Sequence, residues 1–343
     1  MPRFRHRAAA LAAASALALT GCAPAATGEA EPTSSTPAGA FPVTIHHAYG
    51  ETVIPSQPER VATVAWSNHE VPLALGVVPV GMAEASWGDD DGDGVLPWVE
   101  ARLEELGADT PVLFDETDGI DFEAVADTKP DIILAAYSGL SREEYDTLSK
   151  IAPVVAYPDV AWGTSLDDMI RLNSAAIGMA PQGDALIDSL HGEIDTALAK
   201  HPDLAEARVL FSYIDPADLS QIGFYTSHDT RPGFLERLGL PTPAVVAEES
   251  ARTDQFYTSV SAEQADRFSD VDVFVTYGDP DGGIVQRLQA DPLLSQIPAI
   301  AAGRIAILPN STPLAASANP SPLSIGWGIE DYFALLAGRQ RRG

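Results

Sequence analysis

"RVATVAWSNHEVPLALGVVPVGMAE", residues 60–84, holds the unit whose repetition decides the fold. Arg60–Trp66 is a short apolar, β-branched run of the kind that forms a buried strand. Asn68–Leu75 has helical spacing and stops at Gly76, and Val77–Glu84 predicts a second strand. The unit recurs downstream. Pro97 opens and Gly107 closes a helix in "PWVEARLEELG" (97–107). "DFEAVADTKPDIILAAY" (121–137) and "REEYDTLSKIAPVVAYP" (142–158) each give a helical stretch and then a strand. Alternating β and α units predict a parallel sheet covered by helices on both faces.

The alternation breaks at "SLDDMIRLNSAAIGMAPQGDALIDSLHGEIDTALAK" (165–200), which is helical in period and interrupted at Pro181. It resumes with "ARVLFSYID" (207–215), "PGFLERLGL" (232–240), "SAEQADRF" (261–268), "VDVFVTYGD" (271–279), "IVQRLQADPLLSQI" (284–297), "GRIAILP" (303–309) and a terminal helix near "IGWGIEDYFALLAG" (325–338). The simplest architecture is α/β, with two Rossmann-like lobes joined by one long rigid helix. The expected divisions are 43–163 for the first lobe, 164–202 for the interdomain helix region and 203–343 for the second lobe.

The start of the chain reads differently. Arg3, Arg5 and Arg7 precede an apolar run from Ala8 to Leu19, too short to span a bilayer. Residues 1–21 therefore read as a signal peptide, and Leu19-Thr20-Gly21-Cys22 resembles the lipobox at which bacterial lipoproteins are acylated. Cys22 is the only cysteine, so the chain offers no internal disulfide, thiol nucleophile or thiolate metal site. The stretch that follows, within 22–42, is poor in bulky apolar residues and rich in Pro, Ala, Ser and Thr, which predicts a flexible tether. The expectation is a monomeric body anchored through Cys22 at the extracytoplasmic face of the cell membrane. The formal net charge is −29, and −32 once the three signal-peptide arginines are removed. Such a surface repels phosphate backbones and argues against a nucleic-acid partner.

"HHAYGETVIPSQPERVATVAWSNHEVPLALGVVPVG" (46–81), "IDFEAVADTKPDIILAAYSG" (120–139) and "VSAEQADRFSDVDVFVTYG" (260–278) carry a family resemblance. They resemble, in order and spacing, the periplasmic binding proteins that capture ferric siderophores, haem and cobalamin for ABC importers, most closely actinobacterial iron-siderophore binding lipoproteins. The resemblance covers roughly residues 45–338. It implies a class III periplasmic-binding-protein fold and small closure motions about the connecting helix. It implies a ferric siderophore in the inter-lobe cleft, no cofactor and no catalysis. It also implies docking to a permease dimer through one glutamate on each lobe, here Glu123 and Glu263. Read without the resemblance, both are acids at helix starts, where they suit the dipole.

A ferric siderophore is coordinatively saturated, so a protein holds it with aromatic walls and a few arginine or tyrosine donors. Strand C-terminal ends facing the cleft are where these belong. Trp66, Tyr137, Tyr213 and Tyr277 end predicted strands, and Trp87 follows one. Arg231, before a Pro-Gly-started helix, stands where the family often places a ligand-binding arginine; its other reading is a structural salt bridge. Asn310 and Trp327 follow the last strand, and Tyr225 is a further candidate.

Three alternatives compete. A metal-ion binder would need converging histidines and carboxylates, for which His69, His228 and Asp279 are a thin set. Haem or cobalamin would use the same cleft. A secreted hydrolase lacks its usual signatures, since no G-x-S-x-G elbow, H-E-x-x-H or phosphate loop occurs. "GDDDGDGVLPWVE" (88–100) places Asp89, Asp91, Asp93, Gly94 and Glu100 on the calcium-loop pattern. That motif needs a helix on each side, and Pro97 more naturally opens the next helix. The stretch reads first as a cleft-edge loop, with calcium as the weaker candidate.

Overall fold

The computed structural model describes residues 41–338; the expected signal peptide, the expected acylation site Cys22 and the expected tether before Phe41 lie outside the described residues. A hairpin of β1 (Val43–His47) and β2 (Gly50–Ile54) comes first. The first lobe then runs β3 (Val61–Thr63), α1 (Glu70–Ala74), β4 (Gly81–Ala83), α2 (Pro97–Leu106), β5 (Val112–Phe114), α3 (Phe122–Asp127), β6 (Ile132–Leu134), α4 (Arg142–Leu148) and β7 (Val154–Val155). Its five strands form an all-parallel sheet in the order β5-β4-β3-β6-β7. Ile132, Ile133 and Leu134 are all buried, as a central strand sandwiched between helices requires.

Two helices follow, α5 (Leu166–Ala176) and α6 (Ala180–Leu198). The expected interruption at Pro181 falls instead at Gly178, which adopts a left-handed φ of 76°. Pro181 sits in the first turn of α6, where its missing N–H costs nothing. At about 1.5 Å per residue, α6 is roughly 28 Å long. Its buried stripe, Ile187, Leu190, Ile194 and Ala197, joins the core of the second lobe.

The second lobe contains β8 (Val209–Tyr213), β9 (Gln221–Tyr225), α7 (Thr230–Arg237), α8 (Ala244–Ser250), β10 (Tyr257–Ser261), β11 (Val273–Gly278), α9 (Ile284–Ala290), α10 (Pro298–Ala301), β12 (Ile305–Pro309), α11 (Pro313–Ser317) and α12 (Ser324–Leu336). Its sheet, in the order β10-β9-β8-β11-β12, is parallel across β8, β11 and β12, but β9 runs antiparallel to both neighbours. The Ala262–Phe268 segment is 3-10 rather than α-helical.

The lobes are packed together at several points. The Trp87 indole meets the Tyr277 ring edge-on at 5.8 Å. Glu70, fully buried at the start of α1, accepts from Trp98 Nε1–H on α2 and from the Leu323 N–H beside α12, each at 2.8 Å. Among the described residues no helix is long and apolar enough to cross a membrane.

Candidate functional site

The site forms where the strand ends of the two lobes face each other. Asp229 caps α7, its carboxylate accepting the Arg231 N–H at 2.9 Å. The same carboxylate grips the Arg231 side chain through Nε–H and an Nη–H, both at 2.7 Å. A second Nη–H donates to the Tyr277 hydroxyl at 3.1 Å. The guanidinium lies 3.8 Å from the Tyr225 ring centroid, a close cation–π contact. Burial opposes the Arg231 charge, but Tyr277 and Asp229 outweigh it and hold the group protonated well above the ordinary arginine range. Burial, only partly offset by Arg231, pushes the Tyr225 hydroxyl up to about 12, so it stays neutral.

The first lobe supplies the opposite wall. Tyr137, just past β6, accepts from Asn319 Nδ2–H at 2.9 Å and shares a 3.2 Å hydrogen bond with the Thr230 hydroxyl. Trp162 stands edge-on to Tyr137 at 5.4 Å. Its indole covers Gly139 so closely that a Cβ there would fall 2.1 Å from Nε1, which is why that position takes glycine. Beside this wall a pocket of about 180 Å³ is lined by Trp66, Trp162, Ser67, His69, Glu84 and Glu116, among others. Three of the residues around it, Ala65, Ser67 and Trp162, hold left-handed φ values of 60°, 60° and 61° without being glycine. Such backbone persists only where neighbours over-determine it, and it concentrates at functional sites.

Of the residues expected from sequence, Trp87, Tyr137, Tyr225, Arg231 and Tyr277 come together, with Trp66 on the adjoining pocket. Tyr213 stands 50% exposed at the end of β8, reached through Tyr257, which packs edge-on to Tyr225 at 5.3 Å. Asn310 is exposed. Trp327 belongs to the first turn of α12 rather than to a cleft loop; it is 44% exposed, packs against Trp98 at 5.1 Å and faces an outer groove beside α6. Glu123 and Glu263 are both exposed at helix starts, one on each lobe.

Trp162, Asp229, Glu116 and Tyr257 were missed. The rule that ligand residues follow strand ends points to Glu116, two residues past β5, but not to Trp162, which lies seven residues past β7. An Asp before "TRPG" signals a helix cap, which could have pointed to Asp229.

Among the described residues, no group of three converging metal-ligating side chains includes His69, His228 or Asp279. Burial holds the His69 imidazole neutral, its pKa lowered to about 4. Asp89, Asp91 and Asp93 do cluster, with carboxylate oxygens within 4.8 Å of one another, and Glu100 is not part of that group. No helix leads into the loop. Asp89 is engaged in the turn itself, accepting from the N–H groups of Asp91, Gly92 and Gly94, while Asp93 accepts from Val95.

Residues 61–312 match the model of the periplasmic binding protein family. The chain belongs to that family. The ferrichrome complex of PiaA from Streptococcus pneumoniae TIGR4 is similar in structure, with a TM-score of 0.82 and 46% identity over 87% of this chain and 98% of that one. The probable siderophore-binding lipoprotein YfiY of Bacillus subtilis is 29% identical over 240 residues, 68% of this chain and 69% of its own length. The Fe(3+) dicitrate-binding periplasmic protein FecB of Escherichia coli is 25% identical over 289 residues, 80% and 84% of the two chains. The family is one of binding proteins, in keeping with a cleft walled by aromatic rings.

Proposed function

We propose that this chain is the extracytoplasmic substrate-binding component of an ABC importer and captures a ferric siderophore of the neutral trihydroxamate class, of which ferrichrome is an example. The observation that carries this is the Arg231–Asp229 pair. Trp87, Tyr225 and Tyr277 supply flat apolar surface, and the cation among them is already matched by a buried carboxylate. Three hydroxamates cancel the charge of iron(III), whereas three catecholates or two citrates leave the complex anionic. A site with no surplus positive charge favours the neutral chelate. The ferrichrome complex of the 46% identical PiaA supports the same class.

The chain binds without chemistry. Guanidinium and phenol donors meet the chelate's outer oxygens while the indoles cover its apolar faces. Glu123 and Glu263 then pair with basic residues of a permease dimer, one from each lobe, so that both lobes are read together. Acylation at Cys22 tethers the protein, a monomer, at the outer face of the membrane.

Native mass spectrometry of the chain mixed with ferrichrome tests the assignment. One ferrichrome per chain, and none of the iron-free ligand, is expected; no adduct at micromolar ferrichrome contradicts it.

A further inference from the structure

After Val64, whose N–H still reaches Leu134 in the sheet, the chain turns out of β3. Ala65 and Ser67 both take left-handed backbone, and Trp66 sits at the tip between them. The Ala65 N–H has left the sheet and finds its acceptor in Glu116, just past β5, whose two carboxylate oxygens lie 2.9 and 3.2 Å away. Asn68 secures the other side. Its Nδ2–H group donates to the carbonyls of Val64, Trp66 and Tyr137, and its Oδ1 accepts from the Tyr137 N–H and from Asn173. Two left-handed non-glycine residues in three are held from both flanks, and what they present is one indole facing the pocket.

We propose that Glu116 is a positioning residue of the binding site, its carboxylate fixing the Ala65–Ser67 turn and through it the Trp66 indole. The inference rests on the cleft being the ligand site, as argued above. Among the described residues no cation offsets this carboxylate. The titratable groups that face it are His69 at the start of α1 and Glu84 after β4, which line the same pocket, and Glu144 on α4. His69 is held neutral, and the other two are acids. Burial, with Glu144 adding to it and the Ala65 N–H opposing, pushes the Glu116 carboxyl up to about 7. An acid largely removed from water without a counter-charge costs stability, and such groups concentrate at functional sites. An ionised carboxylate is the stronger acceptor for a backbone N–H. The turn is therefore held most firmly above pH 7, and neither His69 nor a cation replaces the brace below it.

The test uses the full chain labelled with 5-fluorotryptophan, the Trp66 resonance being assigned with Trp66→Phe. In the ligand-free protein that resonance should titrate with a midpoint near 7, and in Glu116→Gln, which keeps the size and one acceptor, it should be flat. Ferrichrome affinity should fall several-fold between pH 8 and pH 6 in the wild type, stay level in Glu116→Gln, and drop about tenfold at pH 8 in Glu116→Ala. Ala65→Gly, which relieves the left-handed cost, should restore part of that loss. A Trp66 resonance indifferent to both pH and Glu116→Gln overturns the inference whatever ferrichrome does, as does affinity that rises on acidification. A titrating resonance in a protein that ignores ferrichrome supports the brace and sinks the functional reading instead.

Discussion

Asp229 holds Arg231 through paired 2.7 Å hydrogen bonds from Nε–H and Nη–H, so the guanidinium stacked on Tyr225 is already neutralised within its own helix turn. On the proposed reading, the pair sets the charge of the cleft and hence which iron chelates it accepts.

Asp229→Asn keeps the helix cap and removes the charge. Binding of anionic ferric dicitrate should then strengthen by about tenfold, which is roughly 1.4 kcal/mol, because a like charge beside it is removed, while ferrichrome changes less. Parallel calorimetric titrations check this; equal changes for both chelates would mean that the pair has no part in selection.

Arg231→Lys preserves the charge but not the planar fork that serves Asp229 and Tyr277 together. Ferrichrome affinity should drop at least tenfold with little change in melting temperature. Arg231→Ala is the poorer probe, since it strands a buried carboxylate at a cost of about 3–5 kcal/mol.

Much of this arrangement is legible in the sequence. The run "VDVFVTYG" is nearly continuous in apolar residues because β11 lies between two parallel neighbours, and Pro97 and Gly107 mark the limits of α2 as their backbone preferences require. "QIGFY" and "YTSVS" carry no such run, because β9 and β10 lie toward one edge of the sheet and alternate in direction. Trp162 was hidden by the brevity of β7, two residues long, which leaves the indole well beyond the strand it serves. Trp327 follows the last strand in sequence, as a cleft residue would, but its place on α12 turns it toward the groove beside α6 instead. Residue type alone gives the Arg231 salt bridge as one of two readings; that its partner lies two positions away depends on the cap geometry.

Glu70 should matter for stability rather than ligand affinity alone. Burial raises its carboxyl pKa, against hydrogen bonds from Ser321, Leu323, Trp98 and Ser324. Glu70→Ala leaves the Trp98 and Leu323 donors unpaired across the lobe junction and should cost about 2–4 kcal/mol. Urea denaturation measures it, and a loss within 0.5 kcal/mol of zero, the usual range for surface changes, would contradict the account.

The Glu116 carboxyl binds its proton more tightly folded, at about 7, than unfolded, at 4.5. Between those values the native state carries more protons, so its contribution to stability declines as pH rises and levels off above 7. Glu116→Gln removes that slope. The variant should match the wild type near pH 4.5 and melt higher at pH 8. Parallel melting curves at the two pH values would show that the carboxyl is not perturbed.

Glu123→Ala with Glu263→Ala should abolish ferrichrome-dependent iron uptake through the cognate permease and leave ferrichrome affinity unchanged, because both side chains are exposed on the lobe surfaces. Lost affinity in the double variant would remove the docking role.

The most direct test of the central claim is a tryptophan-fluorescence titration of the full chain, corrected for chelate absorbance, with ferrichrome, a ferric tricatecholate and ferric dicitrate at one ionic strength. Saturable quenching by ferrichrome at submicromolar concentration, with the two anionic chelates at least a hundredfold weaker, is the predicted result. Tighter binding of either anionic chelate would contradict it.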